Sequence, residues 1–198
     1  MPSHLPAAVR RRLDPLRLMV LDVDGVLTDG GLFYTAEGEI GKVFSVRDGL
    51  AIALARRSGL QIGVISGRKS AAVATRCREL GVAEDMVILG SRDKSADLDL
   101  LEARAGVHDR EVAAMGDDLP DLPMLRRVGF AACPADASPD VAAVCHFVCG
   151  ADGGRGAVRE AVELILKAQG RWQAQVSRWT DELSPNSSRS RADHESGR

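Results

Sequence analysis

No apolar run in the 198 residues is long enough to cross a bilayer as a helix, so nothing in the chain calls for a membrane partner. Nor is there an excess of charge. A net charge of -2 removes any bulk electrostatic reason to bind nucleic acid or an anionic lipid surface. Met1 to Arg12 is basic, but no apolar stretch follows its arginines. It does not read as a secretory leader, and a cytoplasmic protein is the expectation. The four cysteines contain no CxxC pair. Cys145 and Cys149, with His146 between them, lack a second ligand pair, so a zinc site is not expected. Reduced thiols packed among apolar residues fit better. None of the four histidines is assigned a role, and no internal repeat is visible.

What remains is ordinary in amount and informative in order. Apolar residues are 45% and charged residues 27%, enough to build one globular domain with a core. Leu18–Leu21 is a short continuous apolar run, the pattern of a strand buried on both faces. Similar runs lie at 60–65, 86–89, 111–115, 129–132 and 145–148. Between them, helical spacing occupies 49–57, 70–80, 95–105, 119–127, 139–144 and 156–169. Buried strands alternating with helices predict an α/β, Rossmann-like fold, a central parallel sheet with helices on both faces. One segment breaks the alternation. Gly31–Thr35 and Ile40–Phe44 flank Ala36–Glu39, which reads as a small β-hairpin insert over 31–44. The organisation expected is a lead-in over 1–16, one domain over 17–170, and a C-terminal extension over 171–198. In that extension Trp172 and Trp179 could dock a helix, and Ser184–Arg198 should be disordered.

Ligands of such sheets bind outside the carboxyl ends of the strands. Those ends read, in order, Asp22-Val23-Asp24-Gly25, then Ser66-Gly67-Arg68, then Lys94 a little beyond the third, then Gly116-Asp117-Asp118 with Asp121. Phosphoryl transfer requires these types. Asp22 can attack phosphorus and carry the phosphoryl group. A hard divalent cation, Mg²⁺, lowers the repulsion between carboxylate and phosphate, with Asp22 and Asp117 as ligands and Asp118 or Asp121 behind them. Ser66 can donate to a phosphate oxygen, and Lys94 supplies positive charge. Asp24 can protonate the leaving oxygen and then deprotonate water. Taken singly, each motif has an ordinary explanation: a solvated acidic loop, a surface lysine, or a helix capped by Asp118. Their order along four successive strands does not.

On these residues the chain resembles the haloacid dehalogenase-like (HAD) phosphohydrolases. More narrowly, Leu21–Gly30, Phe44–Gly49, Ser66–Lys69 and Gly153–Glu160 are similar to the subgroup that hydrolyses 3-deoxy-D-manno-octulosonate 8-phosphate, an acidic sugar phosphate of lipopolysaccharide synthesis. The resemblance covers about 18–170. It implies that Asp24 also offers its backbone carbonyl to the Mg²⁺ held by Asp22 and Asp117. It also implies a homotetramer in which hairpins pack together and the C-terminal segment reaches a neighbouring site. The subgroup often carries Asn where Ser45 stands.

The hairpin is the only insert, so no separate cap domain covers the site, and a neighbouring subunit is the economical lid. Leu32, Phe33, Tyr34, Val43 and Phe44 would form an exposed apolar patch on a monomer. Arg47, Arg68, Arg76 and Arg155 are candidates to meet the substrate carboxylate, with Asp48, Ser45 and Gly67 near the sugar. Three alternatives stand beside this reading. One is a phosphatase of a nine-carbon acidic sugar phosphate. Another is a phospho-acceptor signalling domain, in which the acidic pair rather than the acceptor would open the chain. The third is a silent scaffold.

Overall fold

A computed structural model describes residues 7–181. Its centre is a six-stranded, wholly parallel sheet built from β1 (Leu18–Leu21), β4 (Gln61–Ser66), β5 (Val87–Leu89), β6 (Val112–Met115), β7 (Phe130–Cys133) and β8 (Phe147–Val148). The spatial order is β5-β4-β1-β6-β7-β8. β1 therefore lies between β4, the next strand of this sheet in the chain, and β6, which comes much later. That reversal marks where loops part and a ligand can enter. The apolar runs explain the arrangement. All four residues of β1, β6 and β7 are buried, as expected of strands covered on both faces.

The cover consists of α2 (Val46–Arg57), α3 (Ala71–Glu79), α4 (Lys94–Ala105), the short α5 (Leu122–Leu125) and α6 (Pro139–Ala142), α7 (Ala157–Ala168) and α8 (Trp172–Asp181). α7 is the most thoroughly packed, with Ala157, Val158, Ala161, Val162, Ile165 and Leu166 fully buried. The helix expected over 119–127 is a 3-10 turn at Leu119–Asp121 followed by α5. Pro120 and Pro123, both in the first turns, suit this tight geometry.

One expectation changes, and another holds in part. The lead-in is not loose throughout, because α1 (Ala7–Leu13) is a helix and Leu13 and Leu16 are buried. The Gln169 amide fixes this turn by donating to the carbonyls of Leu13 and Leu16, each at 2.9 Å. The hairpin, β2 (Phe33–Thr35) and β3 (Gly38–Gly41), forms its own two-stranded sheet, yet it is tied back to the body. Tyr34 accepts from Arg68 at 3.1 Å and Glu39 accepts from Ser70 at 2.6 Å. Leu32, Phe33, Tyr34 and Val43 are exposed, Phe33 at 53%, whereas Phe44, expected in the same patch, is half-buried against the core. α8 docks through Trp172, whose ring lies under the cations of Arg159 and Lys167 at 5.0 and 5.3 Å. The expectation for Ser184–Arg198 falls outside the described residues.

Candidate active site

The adjacent ends of β1 and β6 bring the first two acidic motifs together. Leu21 pairs with Met115, and the Asp22 N–H donates to the Met115 carbonyl at 3.0 Å. Asp22 is therefore held at the sheet edge while Asp117 lies two residues beyond the facing strand. Gly25 allows the approach. Its φ is +88°, and any Cβ there would collide with the Asp117 carboxylate. The loop after Asp22 closes tightly, with the N–H groups of Val26, Leu27 and Thr28 all directed to the Val23 carbonyl.

Carboxylate oxygens of Asp22, Asp117 and Asp121 lie within 4.8 Å of one another. Lys94, the first residue of α4, donates to Asp22 and Asp121 at 2.6 Å each. Asp121 does more than sit behind the cluster. Its second oxygen accepts the N–H groups of Asp117 and Asp118 at 3.0 and 3.3 Å, so one buried carboxylate orients the lysine and the Asp117 loop together. Burial and the nearby Asp121 charge push Asp22 up to about 6, even with Lys94 beside it. Burial, then Asp22, pushes Asp117 up to about 7. Burial opposes the charge on Lys94, but its two carboxylates outweigh that and raise it above the ordinary range. Ser66 is buried at the end of β4, where its Oγ accepts the Arg68 N–H at 3.2 Å. Asp118 is exposed and caps the 3-10 turn through Leu119 N–H at 2.8 Å.

The cluster also tests whether a divalent cation fits. Three carboxylates face one ammonium, which leaves two negative charges uncompensated in a buried place. All the donors are hard oxygens. Burial and the same crowding raise the pKa values of Asp22 and Asp117. Such a set fits Mg²⁺.

Around this centre the substrate candidates separate. The Gly153-Gly154-Arg155-Gly156 loop lies on the Asp22–Gly30 loop. Gly154 N–H donates to the Val26 carbonyl at 2.9 Å, and a Cβ on Gly153 would strike the Gly25 carbonyl. Arg155 is thereby placed at 3.6 Å from Asp29, mostly exposed. Arg47, Gly67 and Arg68 are exposed, and Arg68 is held by Tyr34. The remaining three have other work. Asp48, expected to accept from sugar hydroxyls, is 1% exposed and accepts the N–H groups of Gly156 and Arg159 at 3.1 and 2.8 Å. It caps α7. Ser45 caps α2 through Asp48 N–H at 3.3 Å. Arg76 pairs with Glu79 at 3.3 Å and lies over Gly49.

Comparison with known proteins agrees with this geometry. The family described as haloacid dehalogenase-like hydrolase matches residues 86–160. Over 166 residues the chain is 42% identical to the 3-deoxy-D-manno-octulosonate 8-phosphate phosphatase KdsC of Escherichia coli K12, covering 83% of this chain and 87% of that one. It is 40% identical to the Haemophilus influenzae KdsC over 82% of this chain and 89% of that one. The solved Moraxella catarrhalis 3-deoxy-D-manno-octulosonate 8-phosphate phosphatase, in complex with a magnesium ion, a phosphate ion and a KDO molecule, superposes with a TM-score of 0.83. Its sequence is 37% identical, and the match covers 89% of this chain and 99% of that one. The chain belongs to the haloacid dehalogenase-like hydrolases.

As a member of that family it carries one site residue that the sequence did not reveal. Lys42, directly after β3, forms an ion pair with Asp24 and lies 3.5 Å from Glu39, with its own side chain fully covered. The only signal was a lone cation in the otherwise apolar run Ile40–Phe44. Nothing in the spacing of 18 residues points it at Asp24.

Proposed function

We propose that this hydrolase removes phosphate from 3-deoxy-D-manno-octulosonate 8-phosphate, using Asp22 as nucleophile. The observation that carries the chemistry is a buried Asp22 at a strand end, bonded to Lys94 and crowded by Asp117 and Asp121. The substrate is supported by the names of the E. coli and H. influenzae relatives at 42% and 40% identity.

Asp22, Asp117 and the backbone carbonyl of Asp24 would hold Mg²⁺, which when bound offsets the repulsion between carboxylate and phosphate and draws charge from the phosphoryl oxygens. Lys94 keeps Asp22 oriented and adds a positive charge where the phosphoryl group must sit. Asp121 fixes Lys94 and, through two N–H groups, the Asp117 loop. Ser66 presents its hydroxyl to a phosphate oxygen. Asp22 attacks phosphorus, the P–O bond to the sugar breaks, and Asp24, which must carry a proton when substrate is bound, gives it to the departing alkoxide. Asp24, now a carboxylate, takes a proton from water as that water attacks the aspartyl-phosphate. Phosphate leaves and Asp22 is restored. Arg155, Arg68 and Arg47 stand at the rim as cations for the sugar's carboxylate.

The shell is a homotetramer in the cytoplasm. The exposed apolar side chains of the hairpin and of Val46, 81% exposed, support burial against another copy, which would also supply the missing lid. No helix among the described residues is long and apolar enough to cross a membrane.

The test is phosphate release with Mg²⁺ across a panel of sugar phosphates. Strong preference for the eight-carbon keto-acid ester supports the proposal. Preference for a nine-carbon acidic sugar phosphate would keep the chemistry and move the substrate. No release from any ester by folded, metal-loaded protein would overturn it.

A further inference from the structure

We propose that Lys42 is a positioning residue of the reaction, holding the Asp24 carboxylate outside the cation cluster and against the hairpin. The inference rests on the acid–base role given to Asp24 above.

Asp24 is two residues beyond Asp22, on the same tight loop, yet its carboxylate is not among the three that converge. Its partner is the Lys42 ammonium. That ammonium has no access to solvent, so it depends wholly on its carboxylates. Removing Lys42 leaves the half-buried Asp24 without its ion-pair partner, and removing Asp24 leaves the covered ammonium with Glu39 alone. Lys42 is itself braced. Glu39 lies 3.5 Å away and accepts from Ser70 at 2.6 Å, next to the start of α3. The chain of contacts runs Ser70–Glu39–Lys42–Asp24 and joins the body, the hairpin and the acid–base group. The second hairpin contact, Tyr34 with Arg68 at 3.1 Å, holds the same element from its other strand.

Without the ammonium, a fourth carboxylate on a two-residue tether would be free to turn into the cation cluster. It would then be badly placed to exchange a proton with the leaving oxygen or the incoming water. Lys42 touches neither reacting atom and acts through Asp24.

The experiment is a double-mutant cycle of Lys42→Met and Asp24→Asn, read on two esters. The sugar phosphate has an alkoxide leaving group that needs a proton. The leaving group of 4-nitrophenyl phosphate does not, so its first burst of nitrophenol is insensitive to general acid catalysis. Lys42→Met should lower kcat on the sugar ester by at least about tenfold, part of the ~10²–10⁴ available from general acid–base catalysis. The nitrophenol burst should stay within about threefold of wild type. Asp24→Asn should show the full loss, and Lys42→Met should add nothing to it. Lys42→Gln takes its place if the Met variant does not fold. Multiplicative losses in the cycle, a burst slowed as much as the sugar ester, or unchanged kcat would each overturn the inference. A wild-type enzyme inert on both esters would overturn the phosphatase reading and this inference with it.

Discussion

The carboxylate of Asp48 accepts the backbone N–H of Arg159 at 2.8 Å, across 111 residues of chain. With Gly156 N–H at 3.1 Å it satisfies two of the free donors that open α7. The negative charge also meets the positive end of that helix. The contact links α2 to α7 and sets where the Arg155 loop ends. Asp48→Ala should destabilise the protein by about 3 kcal/mol, from lost charged hydrogen bonds left without replacement. A urea midpoint unchanged from wild type would contradict the capping role.

Asp22→Asn removes the nucleophile proposed above with almost no change in volume. Turnover should fall at least about a thousandfold. The fold should persist, because the removed charge was one that burial and Asp121 already disfavoured. Circular dichroism and phosphate release on the same sample check both halves. A folded variant with near-normal turnover would refute the covalent route.

Removal of divalent cation by EDTA should stop phosphate release, and Mg²⁺ should restore it. The same cation should raise the thermal midpoint of the resting protein, since it neutralises the Asp22, Asp117 and Asp121 cluster only when folded. At a hundredfold excess over its dissociation constant the gain is about 2.7 kcal/mol. In Asp117→Asn, with one of the proposed ligands gone, the Mg²⁺-dependent rise should shrink sharply. Equal rises in both proteins would place the cation elsewhere.

How far the sequence went can be judged from these residues. Asp22, Ser66 and Asp117 were legible because each ends a continuous apolar strand, and strand ends of a parallel sheet must share an edge. Lys94 opens a helix with a clear pattern. Asp48 and Lys42 were not legible in the same way. Asp48 faces backbone groups 108 and 111 residues away, and backbone donors leave no trace in residue type. Lys42 depends on how the hairpin folds back, which its own alternation does not specify. The helix α1 escaped because it is seven residues long and, among its described side chains, Val9 and Leu13 pack against the core, too few positions to show a period.

Away from the active site, Arg127 holds three carboxylates: Asp99 at 2.6 Å, Asp109 at 2.9 Å and Glu102 at 3.4 Å. Burial, then a hydrogen bond to Asp109, pushes Glu102 up to about 7 from its ordinary 4.5. The unfolded chain releases this proton first, so stability should fall as pH rises from about 4.5 through about 7 and then level off. Glu102→Gln should remove that slope and be the more stable protein above pH 7, by roughly 1–3 kcal/mol. Parallel stability-against-pH curves for the two proteins would show that Glu102 keeps an ordinary acidity.

Arg155 is held at the rim by glycines rather than by partners of its own. Gly153 has no room for a side chain against the Gly25 carbonyl, and Gly154 is bonded to Val26, so the loop can occupy only this seat. Asp29, at 3.6 Å, leaves the guanidinium mostly in solvent and free to meet a carboxylate. Removing the chain from Gly153 onward would also remove α7 and its buried face, so a single substitution is the cleaner probe. Arg155→Ala should raise KM for the sugar phosphate by about tenfold or more, while stability stays within about 0.5 kcal/mol, as expected for an exposed side chain. On 4-nitrophenyl phosphate, which has no carboxylate, the variant should match wild type. Gly153→Ala should behave differently and lower activity on both esters, because it displaces the loop that follows Asp22. If Arg155→Ala slowed both esters equally, the arginine would be part of the loop's packing and not a contact for the sugar acid.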